Sequence, residues 1–431
     1  MGSSPASAGQ PRLGMLASAM RDPSIVLPIV LLLAFIARGA WLDQPPGGLI
    51  FDEAYYVNAA RVLLGLAVEA GANYAGSPPG LDPNVEHPPL GKLLMAGSMA
   101  VFGDNGLGWR LPSIVAGLVV LATLYGIVRA TGETAWLAIL AVGLLAFDNL
   151  TLVHSRIGTL DILVLAPSLL GAWLVLRRRW LLAGAALGVA LLVKLTALYA
   201  LAAIIGFLLI EVLWTSQPDR GREAKRAALG LGIAGIVVVV VALGGLWLLD
   251  LRYTTFGSPF DHIAHMVAYG ASLTEPIDHS GICVGATSAP WQWPFNECQI
   301  NYFRVDQNFT ATDGEVSRYA TVDFRGALNP VLPAAMLLAT LFGAWLAWTK
   351  RSRTAAWALV WAGANFLPFV VLALAAGRVT YLYYFLPVVP AAATLVAVLL
   401  LRSGLPRPVR WGYLVAYAVG FAAYFPFRQI P

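Results

Sequence analysis

Eleven apolar runs follow one another through 431 residues, each long enough or nearly long enough to cross a bilayer. They cover 24–41, 110–130, 134–152, 160–176, 180–194, 195–214, 227–250, 329–348, 354–375, 380–401 and 410–427. A crossing helix needs about 20 apolar residues. The stretch 180–214 is too long for one span and is divided at Lys194, its only charged break. Just 12% of the side chains are charged, against roughly 25% in soluble domains. A cytosolic enzyme, a secreted domain and a disordered scaffold are thereby excluded. The formal charge of +5 suggests a nucleic-acid partner at first sight. The basic residues lie in short clusters between apolar runs, however, with no C2H2 spacing and no RNP motif, so none is expected. No A-x-A site follows the first run, which reads as an uncleaved span behind a mobile cytoplasmic segment, 1–23.

Charge placement orients the spans. The clusters Arg177-Arg178-Arg179, Arg220 to Arg226, Lys350-Arg351-Arg353 and Arg402 to Arg410 belong in the cytoplasm. Working back from them, 42–109 and 251–328 face outward, provided that the apolar run 90–103 lies in the interface rather than crossing. The expected fold is an all-α polytopic membrane protein with about eleven transmembrane helices. Its two large extracytoplasmic loops carry interfacial helices. The organisation read from this is a transmembrane module 24–250, the loop 251–328, and a four-helix module 329–431. Cys283 and Cys298 share one outer loop, which favours a disulfide.

Ionisable residues collect in the outward segments. Asp52-Glu53 opens an amphipathic stretch. Two acids there suit a helix N-terminus, and equally a general base whose pKa is raised by apolar surroundings. Glu86-His87-Pro88-Pro89-Leu90-Gly91-Lys92 brackets the membrane surface, because a helix can begin only after the two prolines. Arg156 faces outward against the usual bias and needs a partner, with Asp148 and Asp161 as the nearest acids. With Lys194, Arg378, Lys92 and His87 it forms a basic set suited to binding a phosphate at the surface.

In order along the chain, Asp52-Glu53, His87-Pro88-Pro89-Leu90-Gly91-Lys92, Asp148-Asn149, Ser155-Arg156, Leu160-Asp161, Pro290-Trp291-Gln292-Trp293-Pro294, Asn329-Pro330 and Tyr383 to Pro387 resemble the protein O-mannosyltransferases. That family belongs to the GT-C class of polyprenyl-phosphate-dependent glycosyltransferases. The resemblance extends from about 45 to 390 and implies the same eleven-span fold. Two departures stand out. Residues 251–328 are too few for the β-trefoil of the eukaryotic members, and Tyr383-Tyr384 stands where histidine is common. The chain looks like a compact prokaryotic relative.

The resemblance implies transfer of a sugar, mannose, from a polyprenyl phosphate to serine or threonine of exported proteins, at the outer face of the plasma membrane. Asp52 would be the base, with Glu53 orienting it or binding acceptor. His87, Lys92, Arg156, Asp161, Lys194 and Arg378 would surround the donor's phosphate and sugar. Trp291 and Trp293 would cover the site or grip acceptor, unless they belong to an interfacial aromatic belt. The leaving phosphate needs positive charge rather than a general acid, so no metal and no cofactor are expected. The expected partners are membrane lipid, the lipid-linked sugar and a polypeptide acceptor. Two other readings compete. One is a GT-C transferase for a glycan or lipid acceptor, such as those adding aminoarabinose. The other is a transporter of polyprenyl-linked precursors, which would place charges at the midplane of its spans. Span interiors almost free of charge make transport the weaker of the two.

Overall fold

A computed structural model describes residues 22–274, 283, 285–310 and 316–428. The expected cytoplasmic segment 1–23 lies almost entirely outside the described residues. Pro23–Gly39 (α1) starts where Asp22 caps it by accepting from the Ser24 amide at 2.9 Å. Glu53–Leu64 (α2) and Leu90–Phe102 (α3) belong to the first long loop, and α3 turns directly into Gly106–Ala130 (α4). The run expected as one span over 134–152 is broken into Ala135–Ala146 (α5) and Asn149–His154 (α6). The cause is Asp148, whose carboxylate takes the Thr151 amide at 2.8 Å and so begins a new helix. Leu160–Leu176 (α7), Trp180–Leu191 (α8) and Ala197–Trp214 (α9) follow, with the expected break at Lys194. Asp219–Tyr253 (α10) is a single long helix with a π-helical turn at Val240–Gly244.

The second long loop carries Pro259–Ser272 (α11). Its residues His262 and Met266 point inward while Phe260 and Val267 are exposed, as an interfacial helix requires. The sequence analysis did not foresee a hairpin in the same loop, Ile300–Thr310 (β1) paired antiparallel with Val316–Gly326 (β2). Ile300, Tyr302 and Phe324 bury its inner side. Leu332–Lys350 (α12), Arg353–Ala376 (α13), Val389–Arg402 (α14) and Arg407–Ala423 (α15) complete the chain, α14 being preceded by a 3₁₀ turn at Leu382–Val388. Six helices are long and apolar enough to cross a membrane, and five further apolar helices, α3 among them, are shorter. The fold is an all-α polytopic membrane fold, with the hairpin as its one β element among the described residues.

Without a hydrophobic drive between helices in lipid, small residues decide how closely they pack. On α8 the pair Gly184 and Gly188 faces α10. A Cβ on Gly184 would stand 2.5 Å from the Ala234 carbonyl oxygen, and one on Gly188 2.6 Å from the Val241 side chain. Gly→Ala ordinarily stabilises a helix interior by roughly 0.5–1 kcal/mol. Here the sign should reverse. We expect Gly184→Ala to lower the melting temperature in detergent, overpacking costing about 1–3 kcal/mol. Gly232→Ala on the same α10 meets nothing within 4 Å and should not lower it.

Candidate active site

The end of the bundle that carries both long loops holds the ionisable cluster. Phe51 adopts φ of 55°, a left-handed conformation that costs an aromatic residue about 1–3 kcal/mol. Its neighbours enforce it. The ring stacks on Tyr302 at 4.0 Å and meets Tyr383 edge-on at 5.5 Å. Beneath it, Glu53 is fully buried, and its two oxygens accept from Arg110 Nε and a terminal nitrogen, both at 2.8 Å, from the Gly158 amide at 2.7 Å and from the Ile50 amide at 2.8 Å. Arg110 also donates to the carbonyls of Leu42, Gln44 and Gly48. The pair therefore pins the chain before α2 to the start of α4. Both Glu53 oxygens are thus engaged within the protein, next to Asp52.

That neighbour is Asp52. Its side chain makes no capping bond to α2, so the helix-start role open in the sequence is unfilled. It has no hydrogen-bond partner among the described residues. Burial pushes its carboxyl up to about 7, the nearby Asp161 adding to the rise and Lys194 opposing it. Asp161 accepts from Lys194 at 2.7 Å, and its other oxygen lies 3.8 Å from His154 Nδ1. His154 Nε2 and the Tyr302 hydroxyl share a 2.8 Å hydrogen bond, which ties the hairpin to this corner. Lys194 sits 5.7 Å above the Tyr384 ring.

His87 faces the Tyr56 ring at 6.1 Å, and no hydrogen bond engages its imidazole among the described residues. Burial and the charges of Lys194, Lys92 and Arg378 hold it well below the usual histidine range, hence neutral. Arg378 donates once, to the Leu273 carbonyl at 3.2 Å. Its charge and that of Lys194 both reach Tyr384. Asp52, His87, Asp161, Lys194 and Arg378 are thus brought together.

Three expected site residues are not. Lys92 is wholly buried beneath the loop, paired with Asp82 at 2.6 Å and donating to the carbonyls of Asn84 and His87, which leaves nothing for a phosphate. Arg156 pairs with neither Asp148 nor Asp161. It donates to the Ala37 and Ala40 carbonyls at the end of α1 and is covered by the Phe324 and Phe427 rings, at 5.5 and 5.0 Å. Trp293 is a core side chain with no exposure, its indole nitrogen donating to Ser288 at 2.9 Å. Trp291 alone of the two tryptophans is exposed, at 39%. Cys283 and Cys298 are bridged, with Cα atoms 5.1 Å apart. Sequence reasoning missed Arg110, although a basic residue opening an outward helix end carried the same warning as Arg156. It also missed Tyr302 and His154, since nothing placed the hairpin against α6. Among the described residues no group of three His, Cys, Asp or Glu side chains could hold a metal ion.

Residues 86–251 match the family described as dolichyl-phosphate-mannose-protein mannosyltransferase. The polyprenol-phosphate-mannose–protein mannosyltransferase of Mycobacterium tuberculosis is 37% identical over 142 residues. That match covers 32% of this chain and a quarter (25%) of the mycobacterial protein's length. The protein of the same name from Corynebacterium glutamicum is 25% identical over 86% of this chain and 81% of its own. Among solved structures, the Saccharomyces cerevisiae protein O-mannosyltransferase Pmt1-Pmt2 complex bound to the sugar donor superposes with a TM-score of 0.69 at 12% identity, covering 95% of this chain and 90% of that one. ArnT from Cupriavidus metallidurans bound to undecaprenyl phosphate gives 0.56 at 18% identity, over 95% and 64%. The fold is the one these GT-C proteins share. The motif-bearing segment 86–251 thus resembles the protein O-mannosyltransferases in sequence, and the chain as a whole shares their fold.

Proposed function

We propose that the chain moves a mannosyl group from a polyprenyl phosphate to a serine or threonine hydroxyl of an exported polypeptide, on the extracytoplasmic face of the membrane. The observation that carries this reading is Asp52. Among the described residues, Asp52 has no partner, while Glu53, Asp82 and Asp161 are each held by a cation. One free carboxylate suits a single displacement with inversion. Asp52 takes the hydroxyl proton as the acceptor oxygen bonds to the anomeric carbon. The bond from that carbon to the phosphate oxygen breaks, and its electron pair leaves with the phosphate. Lys194 and Arg378 supply the positive charge that stabilises this leaving group, as preorganised donors do in a water-poor site. Neutral His87 can hydrogen-bond to sugar or phosphate without competing for the acceptor's proton. The exposed Trp291 offers an apolar surface to the acceptor. No cofactor takes part in this scheme.

Purified protein incubated with polyprenyl-phosphate mannose and a Ser/Thr-rich peptide should add one hexose to the peptide, read by mass spectrometry. Transfer to a glycan or lipid with none to peptide would reject the polypeptide acceptor. Lys194→Ala and Arg378→Ala should each weaken donor binding by about tenfold or more, a charge-assisted contact being worth roughly 1.5–3 kcal/mol. Only Lys194→Ala should also move the acid limb of the activity profile to higher pH, because Lys194, unlike Arg378, opposes the rise in the Asp52 pKa.

A further inference from the structure

At the opposite end of the bundle from Asp52, a pocket of about 570 Å³ opens between the ends of α7, α9 and α10. Arg178, Arg222, Arg226, Arg353 and Trp214 line it. Three acids stand among them, and each is already neutralised. Glu223 pairs with Arg178 at 2.5 Å, Glu211 with Arg353 at 2.5 Å, and Asp219 with Arg222 at 2.9 Å. Arg226 has no ion pair or hydrogen bond among the described residues. Arg222 and Arg226 are four residues apart on α10, hence on one face. Together they present two guanidinium forks, the geometry that grips a phosphate.

The pocket does not end in water on its inner side. Leu176 lines it, and the preceding residue, Val175, lines an apolar groove of about 450 Å³ that runs on between α8, α9 and α10 past Leu187, Ile204, Ala234 and Val238. An anionic head site thus adjoins a hydrocarbon trough. Neither the cleft chemistry nor the proposed transfer uses either feature.

We infer that this pocket and groove bind an anionic glycerophospholipid of the leaflet opposite the active site, its phosphodiester on Arg222 and Arg226 and one acyl chain in the groove. Basic pockets between membrane helices on the cytoplasmic side recognise such headgroups, and charge complementarity selects them over zwitterionic lipid. The inference stands or falls separately from the transferase reading.

Native mass spectrometry of the full detergent-purified chain tests it, with dioleoyl phosphatidylglycerol and dioleoyl phosphatidylcholine as probes. The wild type should retain phosphatidylglycerol in preference to phosphatidylcholine by about tenfold, the scale of a charge-assisted contact. Arg222→Gln with Arg226→Gln should abolish that preference; both side chains are exposed, so the fold is not at stake. Lys194→Ala, at a position that lines neither the pocket nor the groove, should keep it. Equal retention of the two lipids overturns the proposal. So does a preference that survives the double substitution, or one that disappears in Lys194→Ala, which would move the anion to the cleft.

Discussion

Asp52→Asn should lower turnover by about 10²–10⁴-fold, the usual contribution of a general base, while binding of the lipid-linked donor largely survives. Asparagine keeps the size and polarity of the side chain and loses the ability to take the acceptor's proton. The Asp52 carboxyl titrates near 7 in the folded protein, so wild-type activity should rise with pH through that region and fall away on the acid side. A second signature follows from the same shift. A carboxyl whose folded pKa lies above its unfolded value stabilises the fold at low pH, and that stability is lost as pH rises through the folded value. Wild-type stability should therefore decline between about pH 4 and pH 7, by up to about 4 kcal/mol at about 1.4 kcal/mol per pKa unit. Asp52→Asn removes the dependence. The variant should then melt above the wild type at pH 8, inactive yet more stable. A variant that turns over at near the wild-type rate would show that Asp52 is not the base.

Arg110→Ala should be the most damaging single change to the fold at this end of the molecule. It leaves Glu53 buried and charged with two of its four donors gone, and breaking one side of a buried pair costs about 3–5 kcal/mol. It also frees the carbonyls of Leu42, Gln44 and Gly48, so the loop that presents Phe51 and Asp52 loosens. Glu53→Gln removes the charge and keeps one oxygen, for either the Gly158 or the Ile50 amide, and should cost less. Thermal unfolding in detergent ranks the two. Equal melting of Arg110→Ala and wild type would mean that the pair does not hold the loop.

The two variants separate roles that the sequence placed on adjacent letters. Asp52 and Glu53 look alike in a motif, but Glu53 is held by four donors whereas the Asp52 side chain has none among the described residues. Nothing in Asp-Glu tells which is which. Lys92 and Lys194 offer the same lesson. Both are lone lysines at the edge of an apolar run, yet Lys92 is spent on Asp82 whereas Lys194 stays beside Asp52 with Asp161.

What the sequence determined by itself was the membrane fold and the segments that carry its ionisable residues. Apolar runs of bilayer length can be satisfied only as helices, because lipid offers no partner to an open backbone. The expected runs accordingly are helical, with the split at Lys194 where it was expected and a further break at Asp148 that was not. Ionisable residues at the helix ends could be gathered into one region because apolar span interiors leave them few places to go. The tertiary structure alone decided which of them are free. Burial turns a charge into a structural pin when carbonyls, carboxylates or rings close around it, as they do around Arg156, Lys92 and Arg110. Those partners come from segments far apart in the chain. The hairpin shows the limit from the other side. Two runs rich in β-branched and aromatic residues flank Asp313-Gly314, a local sign of strands. Their docking through Tyr302 onto His154, however, spans 148 residues of sequence. Local pattern names an element, and only packing says what it touches.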